Sequence, residues 1–224
     1  AYEDFDFHII YHSMHNFCTI DMSTFYLDVL KDRLYVEKPD SETSRAAQTT
    51  MYKILWAITL MLAPIIPFTC EEIWSFIPED KNYNSKSVTL NDIPKATGNI
   101  DTEFMAKWDR IHAIRDDVNK ALELARSEKT IGKSLEAKVT LHATGELYDF
   151  ITSLTENLTE IFIVSASEVV NDDKGSNKFD TENLSITVSK ADGEKCERGW
   201  MYSDTVGQDN EDPHICARCA SVLK

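Results

Sequence analysis

The sequence predicts a mainly α-helical chain in which helices come first, a small α/β unit follows, and a short cysteine-bearing module closes the C-terminus. Three observations predict this. Apolar residues recur at helical spacing as far as residue 127. Beyond that point the period falls to two, with Ala137, Val139 and Leu141 alternating with Lys138 and Thr140. Cys196, Cys216 and Cys219, three of the five cysteines, then fall within the last thirty residues.

Each element has its own signal. Ile10, Met14 and Phe17, then Met22, Phe25 and Val29, lie at helical spacing, so residues 3–35 read as two helices. Asp21 and Ser23 sit between them as turn or cap residues. Residues 38–43 form a polar linker around Pro39. Residues 44–63 read as the most buried helix. Met51, Leu55, Ile58 and Leu62 mark one face, and Ile54, Trp56 and Leu60 make the others apolar, which suits the centre of a bundle. Pro64 ends that helix. Thr69 with Glu72 spells a capping box for a short helix running to Ile77, and Pro78 stops it.

Residues 79–101 are rich in Asn, Ser, Lys and Asp and read as loop. Phe104, Trp108, Ile111, Val118, Leu122 and Ala125 predict a helix over 102–127, with Lys107, Arg110, Arg115 and Lys120 among acids on its other face. Residues 144–154 look helical and 162–170 look β-rich. After a polar turn around Gly175, Leu184, Ile186 and Val188 alternate as a second strand. The expected division is therefore a helical domain over 1–128, a small α/β domain over 129–192 and a cysteine module over 193–224.

Composition bounds the function. Hydrophobic residues make up 42% of the 224, enough for real cores. The best apolar run, 54–68, contains Pro64 and Pro67 and falls short of the ~20 residues a membrane span needs. The chain starts with Ala1 rather than Met and runs straight into helix, so it reads as a piece of a longer protein. An odd cysteine count, with Cys18 and Cys70 isolated in helical context, argues against a disulfide framework and for a reducing, cytoplasmic setting. A net charge of -15 opposes bulk attraction to nucleic acid, so any RNA contact depends on local basic and aromatic groups.

No catalytic constellation is visible. His8, His12 and His15 share one helix face, but no H-E-x-x-H pattern accompanies them, and a helix surface is the expected reading. The run Gly132-Lys133-Ser134 ends like a phosphate loop, yet Ser127 stands where the motif needs its first glycine. The order is also helix then strand, the reverse of what that motif requires. Lys129 and Lys133 then sit on a solvated turn.

The cysteine module carries the chemistry. A four-thiolate zinc site needs C-x2-C twice, because each pair sits on a tight turn that aims two sulfurs at one tetrahedral ion. Cys216-Ala217-Arg218-Cys219 is such a pair; Cys196-Glu197-Arg198-Gly199 has glycine in place of the second thiolate. Cys196, Cys216 and Cys219 are candidate metal ligands, with His214, Asp212 or water as the fourth. The pattern leaves open a zinc ion on three thiolates or a metal-free ribbon with little core to hold it. Trp200 beside Arg198 could stack a base or could pack on its own ribbon.

The run YHSMHNFC at 11–18, followed by FYLDVLKDRLY at 25–35, resembles the start of the anticodon-binding region of bacterial-type isoleucyl-tRNA synthetases. LAPIIPFTCEEIW at 62–74 looks like a segment shared with valyl and leucyl relatives. RDDVNKALE at 115–123 and IGKSLEA at 131–137 are similar to the stretch entering the junction domain, and the ribbon from Lys195 is similar to the C-terminal zinc module. The motifs occur in family order along essentially the whole chain. The resemblance implies an anticodon-binding helical bundle of the class I aminoacyl-tRNA synthetase type, then a small α/β junction domain and a zinc-ribbon-like module, with the isoleucine tRNA anticodon stem-loop as partner. By position, Arg198 and Trp200 match family residues expected near the anticodon. The parent would be an ATP-dependent ligase joining isoleucine to its tRNA. Its ATP-binding catalytic fold, with HIGH and KMSKS-type signatures, and its editing domain are not in this sequence and would be further partners, so the stretch itself is expected not to aminoacylate. Two rival readings are an anticodon domain of the valyl or leucyl type and a helical protein-interaction module without RNA binding, which the charge of -15 favours.

Overall fold

The computed structural model describes residues 1–79, 83, 84, 86–96, 98, 100–155 and 158–224. The chain forms two compact units: residues 1–35 with 39–99, and residues 36–38 with 100–224. The predicted loop over 79–101 lies partly outside the described residues.

The first unit is helical. Helix α1 (Phe7–Asn16) runs without a break into a π-helical stretch, Phe17–Tyr26. The expected turn at Asp21 and Ser23 does not form. Leu27 N–H reaches the carbonyl of Met22, five residues back, and the hydroxyls of Thr19 and Thr24 donate to the carbonyls of His15 and Ile20. Such back-bonding from Thr widens and bends a helix rather than ending it. Short helices Leu27–Val29 and Lys31–Tyr35 follow.

Helix α2 (Glu42–Leu62) starts at Ser41, whose hydroxyl accepts from Ser44 N–H at 3.2 Å. It is not the most buried helix. Only Ser44, Ala47, Thr59 and Leu60 are buried along it, and Leu55 is exposed. Helix α3 (Pro67–Phe76) begins with Pro67 in its first turn, where the missing N–H costs nothing, so Thr69 is not its cap. Leu60, Ala63, Cys70, Trp74 and Val88 form the core of this unit, with Trp56 and Tyr83 packed against it. Glu71 holds the Val88 turn by accepting from Ser87 Oγ and, at 3.2 Å, from Val88 N–H.

The second unit is built on a four-stranded sheet. Helix α4 (Thr102–Ser127) is capped by Asp101, whose carboxylate accepts from Phe104 N–H at 2.9 Å. Strand β1 (Ala137–Ala143) leads through α5 (Gly145–Thr152) and α6 (Leu158–Phe162) to β2 (Ala166–Asn171). Strands β3 (Asn177–Lys178) and β4 (Leu184–Lys190) complete the order β2-β1-β4-β3. β1 pairs parallel with β2 and antiparallel with β4. The parallel pair needs the α5–α6 crossover, since a tight turn cannot join parallel strands. The β-rich reading of 162–170 holds from Ala166 onward: Phe162 ends α6, and the backbone turns at Ile163 (φ 56) before β2 starts.

Ala137, Val139, Leu141 and Ala143 are fully buried, and their alternation puts all four on one face. That face packs on Ile111, Ile114, Val118, Ala121, Leu122 and Ala125 of α4 and on Leu147, Ile151, Leu158, Ile161 and Phe162. Helix α4 belongs to the sheet's core, because its apolar stripe is the cover the sheet requires.

Polar ties secure the same helix. Buried Asp117 accepts from Thr181 N–H at 2.8 Å, Asp180 N–H at 3.3 Å and Lys120 Nζ at 3.0 Å. Burial raises the pKa of this carboxyl, but these donors outweigh it and hold it below the usual range. Arg115 Nε donates to the Ile161 carbonyl and Arg110 lies over Phe150, so the basic residues of α4 brace its own unit.

Candidate metal centre

After β4 the chain forms a two-stranded ribbon, β5 (Glu194–Lys195) and β6 (Tyr202–Ser203), and ends in helix α7 (Ala217–Leu223). Cys196 leaves β5 into a turn closed by Trp200 N–H on the Cys196 carbonyl at 2.8 Å. Cys216 is the N-cap residue of α7, and Cys219 stands one turn along it. No pattern in the residues marks this helix, because seven residues show too little periodicity.

These elements bring Cys196, Cys216 and Cys219 together. Their sulfurs lie within 4.8 Å of one another, and Cys196 Sγ is 3.6 Å from Cys219 Sγ. Sulfurs bound at about 2.3 Å to one tetrahedral ion stand about 3.8 Å apart, so the cluster fits three corners of a zinc site. All three cysteines are buried, with Val36, Ile215 and Ala220 around them. No other group of three or more ligating side chains occurs among the described residues. His8, His12 and His15 are exposed on α1, with Tyr11 packed against His12 and His15. Cys70 is buried in the first unit, where burial pushes its thiol up.

The backbone prepares the cluster for charge. Gly199 N–H and Cys216 N–H donate to Cys196 Sγ at 3.3 and 3.4 Å. Burial pushes the Cys196 thiol up, but the amides of Gly199, Cys216 and Arg198, with the Cys219 thiol, pull it down further, to about 7. Cys219 is pushed up to about 11, first by burial and then by the neighbouring sulfurs.

The fourth corner is incomplete. Gly199 faces the cluster: a Cβ added there would lie 3.2 Å from Cys219 Sγ, 3.5 Å from Arg218 Nη2 and 3.8 Å from Val36 Cγ1. His214 does not take that place. It is exposed and outside the ligand group, and its carbonyl is held by Glu197 N–H at 3.1 Å. Val36 is a part of this site that sequence reading missed, since nothing in a single apolar residue 160 positions upstream signals it.

Beside the cluster, Trp200 is 63% exposed, with a left-handed backbone (φ 61) and Lys195 Nζ 5.7 Å from its ring centroid. Arg198 is half-buried, and its Nη1 has no hydrogen-bond partner among the described residues. The candidate phosphate loop offers no cradle. Lys129 is the left-handed residue that ends α4, and Gly132 N–H already donates to Glu136 at 2.8 Å.

Comparison with known families decides the membership. Residues 1–141 match the model for the anticodon-binding domain of tRNA ligase. The chain belongs to that family. Residues 193–222, which contain all three clustered cysteines, match a zinc finger found in FPG and IleRS. The chain is 49% identical over its full length to an isoleucine–tRNA ligase of Carboxydothermus hydrogenoformans. It is 45% identical to one of Bacillus cereus (strain B4264) and 44% identical to one of Bacillus anthracis (strain A0248). It spans 24% of the length of each of these relatives. The anticodon-binding family thus covers the first unit, α4 and most of β1, and the zinc-finger family covers the ribbon. No helix among the described residues is long and apolar enough to cross a membrane.

Proposed function

We propose that this chain recognises the anticodon stem-loop of isoleucine tRNA, as part of an ATP-dependent isoleucine–tRNA ligase acting in the cytoplasm. The observation that carries the reading is Trp200, an exposed indole beside a three-thiolate cluster in a chain of the anticodon-binding family. Unstacked anticodon bases expose faces that an aromatic ring can stack on, and sequence-specific RNA recognition targets such single strands. Cys196, Cys216 and Cys219 hold zinc, which keeps the turn from Cys196 to Trp200 in place. Arg198 supplies a cation next to the stacked base. Aminoacylation itself belongs to parts of the ligase outside these residues.

Filter binding of isoleucine and valine tRNA transcripts over a salt series tests this. Binding should favour the isoleucine transcript and weaken with salt. Trp200→Ala should cost about 1–3 kcal/mol, roughly 5- to 150-fold in affinity. Equal affinity for both transcripts would favour the valyl- or leucyl-type reading. No binding at low salt would favour a protein-interaction module, which the net charge of -15 suits.

A further inference from the structure

We propose that the metal centre of this chain is an open one, in which three thiolates hold the ion and a small external thiolate completes the fourth corner. The inference rests on the zinc reading above and deepens it. A closed structural site takes four protein ligands, whereas a site with three leaves one position for an outside donor. Gly199 supplies no side-chain donor, and a Cβ built on it would lie 3.2 Å from Cys219 Sγ. The neighbouring side chains do not replace it. His214 is exposed and its backbone is pinned to Glu197, while Asp212 is half-buried, outside the sulfur group and tied by its own N–H to Asp209 at 3.3 Å.

The surroundings of this corner select the ligand. A divalent ion with three thiolates carries one net negative charge, so a second anion there needs a compensating cation. Arg218 Nη2, 3.5 Å from where a Cβ on Gly199 would stand, provides it. The same niche is narrow, with Cys219 Sγ and Val36 Cγ1 also within 4 Å. A compact soft monoanion therefore fits better than a bulky or neutral donor, and zinc accepts thiolate sulfur readily.

The test uses the whole chain loaded with Co2+ under a phosphine reductant and titrated with 2-mercaptoethanol as the external thiol. The sulfur-to-cobalt charge-transfer absorbance should rise by about one third and saturate, as three thiolates become four. Gly199→Cys should begin near the higher value and not respond. Arg218→Gln should bind the same Co2+ and require about threefold more thiol. Bound Co2+ whose spectrum ignores the thiol would overturn the proposal, because the chain would then be filling the corner itself. An unchanged titration in Arg218→Gln would overturn the role given to that cation. Failure of the native chain to bind one Co2+ would instead overturn the three-thiolate reading beneath it.

Discussion

The sheet and the cysteine module lie in the same unit, but different forces hold them. The sheet buries a continuous apolar core from Ile111 to Ile186, in which Leu141, Ile151 and Ile186 are inaccessible to solvent. The module has six buried core side chains among the described residues, and three of them are cysteines. At the usual burial energy of about 25 cal/mol per Å2, so few apolar groups cannot order thirty residues against their conformational entropy. The sheet can stand on packing, whereas the module would depend on the proposed ion.

Stripping a bound ion should have the largest effect. A strong chelator should abolish hydrogen-exchange protection across 194–223 while β1 and β4 stay protected, since metal binding is folding free energy in such modules. Retained protection in the module would show that its packing suffices. Next in size, Leu141→Ala should destabilise the sheet by about 3–4 kcal/mol in urea unfolding and leave metal content unchanged. Asp117→Asn should cost about 2 kcal/mol by disturbing the accepted bonds from Thr181, Asp180 and Lys120. Its pH signature sharpens the test. The folded pKa of Asp117 is depressed, so its contribution is present above the ordinary carboxylate value of about 3.9 and is lost as pH falls through the lower folded value. The variant should flatten that acid limb of the stability curve.

What could be read from the sequence follows the same division. The alternation of β1 and β4 and the periodicity of α4 were legible because one-sided burial writes its period into the residues. Periodicity says which face is apolar and not what covers it, so the packing of α4 on the sheet was not legible. The π-helical stretch over Phe17–Tyr26 was hidden because it depends on which carbonyl each N–H selects. The turn at Ile163 was hidden because a β-branched residue is a poor sign of left-handed backbone. The three clustered thiols were legible as cysteines, and Gly199 as the gap in their pattern. Arg218 and Val36 as walls of that corner needed three dimensions.

Trp200 sits at φ 61, a conformation that glycine adopts freely and a bulky residue adopts at a cost of roughly 1 kcal/mol. Trp200→Gly should therefore tighten the ribbon while erasing its largest exposed ring. Under the proposed role of this ring, durability and recognition compete for one position, so selecting variants for heat resistance alone should remove the surface offered to a base.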